Sequence, residues 1–219
     1  LKPFKINKKI NKAINQIAAI NKKILDNKLF PITLGGEHSI TPGCIKPFVK
    51  KYKKLTLLHF DAHADLRESY AGEKFSHACA IKRCIDHKNV SVVSFGIRNI
   101  SAEEIPILQK NKKRINIYWA KDKKKWDLNK FKKQIKNKDV YITFDVDGLD
   151  SSIMPATGTP EPGGIFWDEA LEIIKIACKN SRIVGADVNE LAPIKGFNSY
   201  NFLIAKLVYK ILSYKFLLK

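Results

Sequence analysis

The cysteines of this chain show no disulfide organisation. The sequence contains Cys44, Cys79, Cys84 and Cys178, and no two of them stand in a CxxC spacing. A disulfide framework needs paired, regularly placed cysteines and an oxidising compartment. The pattern therefore predicts a protein of the reducing cytosol, and so a cytoplasmic location.

Long uninterrupted apolar segments are also missing. The N-terminus is basic and amphipathic, without the apolar core of a signal peptide. The most apolar stretch, 200–218, is interrupted by Lys206, Lys210 and Lys215. Since a membrane-spanning helix needs about 20 largely apolar residues, we expect no membrane insertion. The stretch is instead typical of an amphipathic helix that covers a core.

Arginine is scarce, although the formal net charge is +19. The excess is almost entirely Lys, spread together with Asn through the predicted helices. Paired phosphate contacts and base recognition favour Arg, so we expect no specific nucleic-acid partner. A solvated surface with a compositional bias explains the charge equally well.

Internal repeats, linkers and composition breaks are absent, which predicts one domain over residues 1–219. Hydrophobic residues make up 45% of the chain, enough for a sizeable core. Apolar strand-like runs alternate with helical patterns, and this alternation favours an α/β fold with a parallel sheet and helices on both faces. The predicted strands cover 29–34, 55–60, 90–95, 115–119, 140–144 and 183–186. Pro31 suggests an edge position for the first.

Helix boundaries are indicated by capping residues. Isoleucines at a helical period from Ile6 to Ile24 predict a first surface helix with one buried stripe. Ser39 or Thr41 is expected to cap the second helix. Ser101 with Glu104 forms a predicted capping box, and Asp127 is expected to cap a helix through residue 135.

Polar clusters follow four of the predicted strands. The segment LTLLHFDAHADLR at 55–67 leaves a strand and enters Asp61, His63 and Asp65, which point the same way if the chain is extended. His38, the pair Asp145 and Asp147, and Glu190 each follow another strand. Because function in parallel sheets collects beyond the carboxyl ends of the strands, we expect one shared site.

The chemistry of these side chains points to metal ions. Four carboxylates and two imidazoles are too many for one tetrahedral zinc. They suit two divalent ions, with Mn²⁺ before Zn²⁺ because oxygen ligands dominate, and two such ions favour hydrolysis. Each residue has a simpler reading alone: His38 in a turn, Asp147 capping a loop, Glu190 paired with a Lys. Arg98 could have a purely structural role, and His77 could only form hydrogen bonds at the start of a helix.

Seven motifs together resemble the ureohydrolase family, the arginases and agmatinases, from about residue 30 onward. They are GGEHS at 35–39, FDAHADLR at 60–67, SHACA at 76–80, SFGIRN at 94–99, TFDVDGLD at 143–150, GTPEPGG at 158–164 and DVNELAP at 187–193. The resemblance implies a three-layer α/β/α sandwich. It also implies a di-manganese centre with two Mn²⁺ per chain, and a metal-bridging hydroxide that attacks a guanidino carbon.

The resemblance also assigns roles. His38, Asp61, Asp65 and Asp145 would hold one ion, and Asp61, His63, Asp145 and Asp147 the other. Glu190 would grip the guanidinium group, Asp65 would relay a proton to the leaving nitrogen, and His77 would act as an acid–base group that also contacts substrate.

Agmatine, cleaved to putrescine and urea in polyamine biosynthesis, is the substrate that the resemblance favours. The segment 66–75 leads into SHACA as in agmatinases, which suits a substrate without a carboxylate. N1-aminopropylagmatine is the close alternative, and guanidinobutyrate and arginine rank below both. The family forms trimers or hexamers, so the resemblance implies a homo-oligomer of one of these kinds.

Two departures from the family's pattern are expected to matter. The family carries a further N-terminal segment with two strands and a substrate loop, so the chain would retain six contiguous strands and expose the edge at 29–34. Ser151 stands where a Pro is usual. Two other classes stay open: a one-metal zinc-dependent amide deacetylase, and an inactive truncated remnant that only binds partners through its basic surface.

Overall fold

A computed structural model describes residues 5–218, so the ends of the predicted 1–219 domain lie outside the described range. Helices and strands alternate as predicted. The helices are α1 (Ile10–Asp26), α2 (Thr41–Lys51), α3 (Ala80–Ile85), α4 (Ile105–Lys110), α5 (Leu128–Ile135), α6 (Trp167–Asn180) and α7 (Asn198–Leu217). The strands are β1 (Ile32–Leu34), β2 (Leu55–Phe60), β3 (Val90–Phe95), β4 (Ile115–Tyr118), β5 (Asp139–Asp145) and β6 (Arg182–Asn189).

The strands form one six-stranded sheet in the order β1-β6-β5-β2-β3-β4. Every pairing in it is parallel. The predicted fold class is confirmed, and β1 is an edge strand on which Leu34 is 67% exposed. The central position of β5 and β2 brings their carboxyl ends side by side, where the candidate site lies.

Alternation along the strands divides the core between two helical layers. Leu55 and Leu57 of β2 pack with residues of α1 to α4 on one face of the sheet. Leu58 and Phe60 point to the other face and pack with α5, α6 and α7. Successive strand residues point to opposite faces, so an apolar run buried throughout produces a three-layer α/β/α sandwich.

The capping predictions have mixed outcomes. The Ser101–Glu104 capping box and the Asp127 cap are both present. The predicted cap of α2 is wrong: a 3₁₀ turn at His38–Ile40 runs directly into the helix, Ser39 bonds Glu37, and Thr41 turns its hydroxyl toward Asp187. The Thr41 hydroxyl thus forms a buried hydrogen bond with Asp187 and does not cap the helix.

Several element boundaries also differ from the predictions, and β1 covers only Ile32–Leu34 of the predicted 29–34. α1 begins at Ile10, and Ile6 lies before it and is 44% exposed. β6 continues to Asn189, three residues past the predicted end, because it stays paired with β5 up to Asp145. Asp187 is therefore inside a buried strand.

Within residues 5–218, no helix combines the length and apolar character that crossing a bilayer requires.

Candidate metal centre

The six predicted metal ligands meet beyond the carboxyl ends of β1, β5 and β2. Asp61, His63 and Asp65 follow β2, Asp145 ends β5 with Asp147 in the next turn, and His38 lies in the turn after β1. The structure thus gathers all six into one cluster, although the sequence places them up to about a hundred residues apart. Their roles as ligands stay a prediction.

His38 forms the first convergence point. Its ring is fully buried, and Nδ1 lies 2.9 Å from Asp65 Oδ2, 3.1 Å from Asp61 Oδ2 and 3.4 Å from Asp145 Oδ2. Despite these short distances, Nδ1 makes no well-aligned hydrogen bond with any of the three. A nitrogen surrounded by carboxylate oxygens at poor hydrogen-bond angles is the arrangement expected of donors aimed at a common ion.

His63 forms the second convergence point. Its Nδ1 lies 3.0 Å from Asp147 Oδ2 and 3.5 Å from Asp61 Oδ1. Asp61 therefore divides its two oxygens between the two groups, Oδ2 toward His38 and Oδ1 toward His63. A carboxylate placed in this way can bridge two ions.

Backbone and hydroxyl hydrogen bonds fix the remaining carboxylate oxygens. Asp147 accepts from the Ala62 amide at 3.0 Å and from the Thr159 hydroxyl at 3.1 Å. Asp145 Oδ1 accepts from the Asp147 amide at 2.9 Å. These bonds hold the orientation of each carboxylate and leave its negative charge for other partners.

The cluster buries more carboxylates than imidazoles, and so concentrates negative charge away from solvent. Burial and the neighbouring charge of Asp61 raise the pKa of Asp65 to about 7. Burial lowers the pKa of His63, but hydrogen bonds with Asp147 and Asp61 outweigh it and raise that pKa to about 11. The potential that would hold a proton on His63 would also hold a divalent cation, so the residues fit the metal ions predicted from the sequence.

Backbone strain is present at two of the predicted site residues. Asp65 and Glu190 adopt φ values of 53° and 64°, in the left-handed region. Such a conformation costs of order 1–3 kcal/mol in a non-glycine residue and is concentrated at functional sites. The fold therefore holds both carboxylates in place against their backbone preference.

Glu190 and His77 line a cleft of about 300 Å³ beside the cluster, together with His63, Asp65, Asp145 and Asp147. Glu190 Oε1 accepts the His38 backbone N–H at 2.6 Å, and burial raises the pKa of its carboxyl. His77 stands at the rim, with its Nδ1 2.8 Å from Glu37 Oε1. The structure thus places both residues in the cleft, His77 farther out than the ligand cluster.

His59 is a site residue that the sequence analysis missed. It is buried within β2, and its Nε2 lies 2.8 Å from Asp61 Oδ2 while its Nδ1 lies 3.0 Å from the Ser94 hydroxyl. Burial lowers its pKa, and its Nε2 can hold Asp61 by a hydrogen bond. The signal was available, because His59 shares the period of two with Asp61 and His63.

Thr143 and Asp187 were also missed: Thr143 hydrogen-bonds His38 Nε2 on the far side of the ring, and Asp187 in turn accepts the Thr143 hydroxyl. A polar residue in the apolar run at 140–144 is the only signal for Thr143. Arg98, in contrast, fits its structural reading: its guanidinium donates to the carbonyl oxygens of Asp147, Leu149 and Glu161.

Comparison with known proteins agrees with this geometry. The Arginase family matches residues 2–213. The chain is 34% identical to an N(1)-aminopropylagmatine ureohydrolase of Synechocystis and 38% identical to an agmatinase of Bacillus anthracis, each over 84% of its length. It spans 60% and 62% of the length of these two relatives.

A solved structure is similar in fold over most of this chain. The agmatine ureohydrolase of Thermoplasma volcanium superposes with a TM-score of 0.85 at 30% identity, covering 97% of this chain and 71% of that one. The matching sheet and helices extend over nearly all of the present chain.

Proposed function

We propose that this chain, which belongs to the arginase family, is a di-manganese ureohydrolase that cleaves agmatine to putrescine and urea. The observation that carries the proposal is the position of Asp61, whose two oxygens face two separate groups of imidazole and carboxylate donors. The names of the relatives, agmatinase and N(1)-aminopropylagmatine ureohydrolase, support a guanidino substrate.

Two ions per chain follow from the donor set. His38, Asp61, Asp65 and Asp145 would hold one, and Asp61, His63, Asp145 and Asp147 the other. Their mixture of imidazole and a majority of carboxylates suits Mn²⁺. When bound, such ions would supply Lewis acidity and make water a nucleophile at neutral pH. The protein's part is to fix the carboxylates, which the amides of Ala62 and Asp147 do.

Glu190 is the group that would bind the guanidinium end of the substrate. A planar guanidinium pairs well with a carboxylate, and Glu190 faces the cleft next to the ligand cluster. Its bond to the His38 amide fixes Oε1 and sets the direction of the carboxylate. Asp65, at the cleft wall, would pass a proton to the leaving nitrogen.

His77 would contact substrate and exchange protons at the rim. Glu37 holds its Nδ1, so in this proposal the exchange falls to Nε2. An imidazole is suited to both halves of a proton transfer near neutral pH. The pair also adds acidic character at the mouth of the cleft, which favours a cationic amine tail.

N1-aminopropylagmatine is the second candidate substrate. A relative with that activity in its name is 34% identical to the chain. The molecule presents the same guanidinium and extends its amine tail by one aminopropyl unit toward the rim. Both candidates lack a carboxylate, so the guanidinium end of the site serves either.

The proposal includes a cytoplasmic homo-oligomer, trimer or hexamer, acting in polyamine biosynthesis. Light scattering on the purified chain would measure the assembly directly. A monomer at micromolar concentration would remove the oligomer from the proposal and leave the site chemistry as proposed.

The test is urea release by the Mn²⁺-loaded chain, offered agmatine, N1-aminopropylagmatine and arginine in parallel. We expect urea from one or both of the amines and much less from arginine. An Asp145→Ala variant and a chelator-treated sample serve as controls. Urea from none of the three would contradict the proposal, and metal binding without turnover would favour a binding protein. One tightly bound ion per chain would favour a mononuclear deacetylase.

A further inference from the structure

A chain of buried hydrogen bonds leaves the metal centre on the far side of His38. His38 Nε2 lies 2.9 Å from Thr143 Oγ1, and Thr143 Oγ1 lies 2.7 Å from Asp187 Oδ1. All three residues are 0% exposed. They come from the turn after β1, from β5 and from β6, so the chain of bonds crosses three neighbouring segments at the bottom of the site.

The direction of these bonds follows from the chemistry of the groups. Asp187 Oδ1 acts only as an acceptor here, because it also receives hydrogen bonds from the Thr41 hydroxyl at 3.1 Å and from the side-chain amide of Asn189 at 2.7 Å. Thr143 has a single hydroxyl proton, and it is donated to Asp187. The oxygen of Thr143 is then left as the acceptor for a proton on His38 Nε2.

A proton on Nε2 decides what the other ring nitrogen can do. In a neutral imidazole one nitrogen carries the proton and the other carries a lone pair. In the neutral ring that a metal ligand must be, the lone pair of His38 is therefore on Nδ1, the atom surrounded by the oxygens of Asp61, Asp65 and Asp145. This is the nitrogen that a metal ion at the first convergence point would need.

We propose that Thr143 and Asp187 are positioning residues that hold His38 in the Nε2–H form and present its Nδ1 to a divalent ion. The proposal rests on the proposed function, because it concerns the same ion. Histidine ligands generally depend on a partner at their second nitrogen. Here a hydroxyl separates that partner carboxylate from the ring, so Asp187 orients His38 without itself entering the ligand cluster.

Thr143→Val is the variant that tests this His38–Thr143–Asp187 relay, since it keeps the shape of the side chain and removes the hydroxyl that contacts His38, Asp187 and, at 3.2 Å, Thr41. Thr143→Ser restores the hydroxyl and should rescue. Thr56→Val is the matched control: Thr56 is a buried threonine of the adjacent strand β2, and its hydroxyl contacts Ser91 at 3.1 Å, outside the relay.

The first measurement is Mn²⁺ affinity by calorimetry on the full chain. We expect Thr143→Val to bind about 10- to 100-fold more weakly, the usual effect of losing such a partner, while Thr143→Ser and Thr56→Val bind like the parent. Unchanged affinity in Thr143→Val would overturn the relay. A parent chain that binds no Mn²⁺ would overturn the proposed function and the relay's metal-holding role together, a distinguishable result.

The second measurement needs no metal. The ring ¹H–¹⁵N spectrum of the metal-free chain should contain a slowly exchanging His38 Nε2–H signal, assigned by its loss in His38→Asn. We expect the signal to disappear in Thr143→Val and to persist in Thr143→Ser. A slowly exchanging signal retained in Thr143→Val would show that another group accepts the proton and would overturn the proposal.

Discussion

The two halves of the candidate metal centre are built from different kinds of structure. The inner half is centred on His38, which is 0% exposed and is supported by the strand residues Thr143 and Asp187. The outer half, around His63, has a side chain that is 25% exposed and is supported by Thr159 and Glu161 of the loop 149–166.

The two halves of the site therefore differ in rigidity and in access to solvent. Strand residues with buried hydrogen bonds hold the inner imidazole in one arrangement, whereas the outer imidazole, His63, lies beside the loop and is partly exposed. Because loops open more readily than packed strands, we expect an ion in the outer half to exchange first. Four experiments test this contrast.

Asp61→Asn should have the largest effect, because Asp61 serves both halves at once. The substitution keeps the shape and removes the shared charge. We expect urea release to fall by more than about a thousandfold, equivalent to ~4 kcal/mol, and the affinity for both ions to fall. Steady-state assays with metal analysis check this. Two ions retained at parental affinity would remove Asp61 from the bridging role.

His38→Asn and His63→Asn should separate the halves. We expect His63→Asn to keep about one Mn²⁺ per chain, held by the inner half, because the inner ligands do not include His63. His38→Asn should lose the inner ion and also destabilise the fold, since it disturbs a fully buried group. Metal analysis after gel filtration gives the counts. Equal losses in both variants would mean that the halves do not act separately.

Removal of metal should lower the thermal stability of the chain. Ions that bind only the folded state stabilise it by mass action, about 2.7 kcal/mol per site at a hundred times the Kd, or roughly 5–10 °C for a chain of this size. Differential scanning calorimetry with and without chelator measures the shift. His63→Asn, with one site left, should show a smaller shift, and an equal shift would argue against two sites.

Asp150→Asn should have the smallest effect of the four. Asp150 lies in the loop 149–166, which supports the outer half, and the substitution should lower the stability of that loop. Asp150 accepts from the Gly164 amide at 2.8 Å and the Ser152 amide at 3.0 Å. Burial alone would raise the pKa of Asp150, but these hydrogen bonds outweigh it and lower the pKa to about 2.

The sign of the pH dependence follows. The folded pKa lies below the unfolded value of about 3.9, so the stabilisation is present above that value and is lost as the pH falls toward 2. We expect Asp150→Asn to lose about 2 kcal/mol at pH 7 and to show a flatter stability profile between about pH 4 and 2. Urea unfolding across this range tests it, with parallel profiles as the contradicting result.

Much of the fold could be predicted because its strands are apolar runs between polar stretches. The bounds of β2 and β3 are correct for this reason. β6 was predicted too short, since Asp187 and Asn189 are polar and only their burial between β5 and β1 keeps them in the sheet. The cap of α2 failed similarly, because Thr41 bonds across the core to Asp187.

The candidate site was predicted in the same uneven way. The six ligand candidates come from acidic and imidazole side chains at strand ends, a pattern that is local and visible. His59 and Thr143 lie within strands, where a polar side chain gives a weaker signal. The position of His77 at the rim, paired with Glu37, depends on a contact across forty residues that no local pattern records.

The fold class, the alternation of strands and helices and the choice of candidate donor side chains could all be predicted from the sequence, because they depend on local periodicity and residue chemistry. The division of the candidate donors into two groups around Asp61, and the hydrogen-bond partners that hold them, depend on the packed structure. That division arises when β5, β2 and β6 pack side by side, and their neighbouring carboxyl ends set distances that no single segment contains.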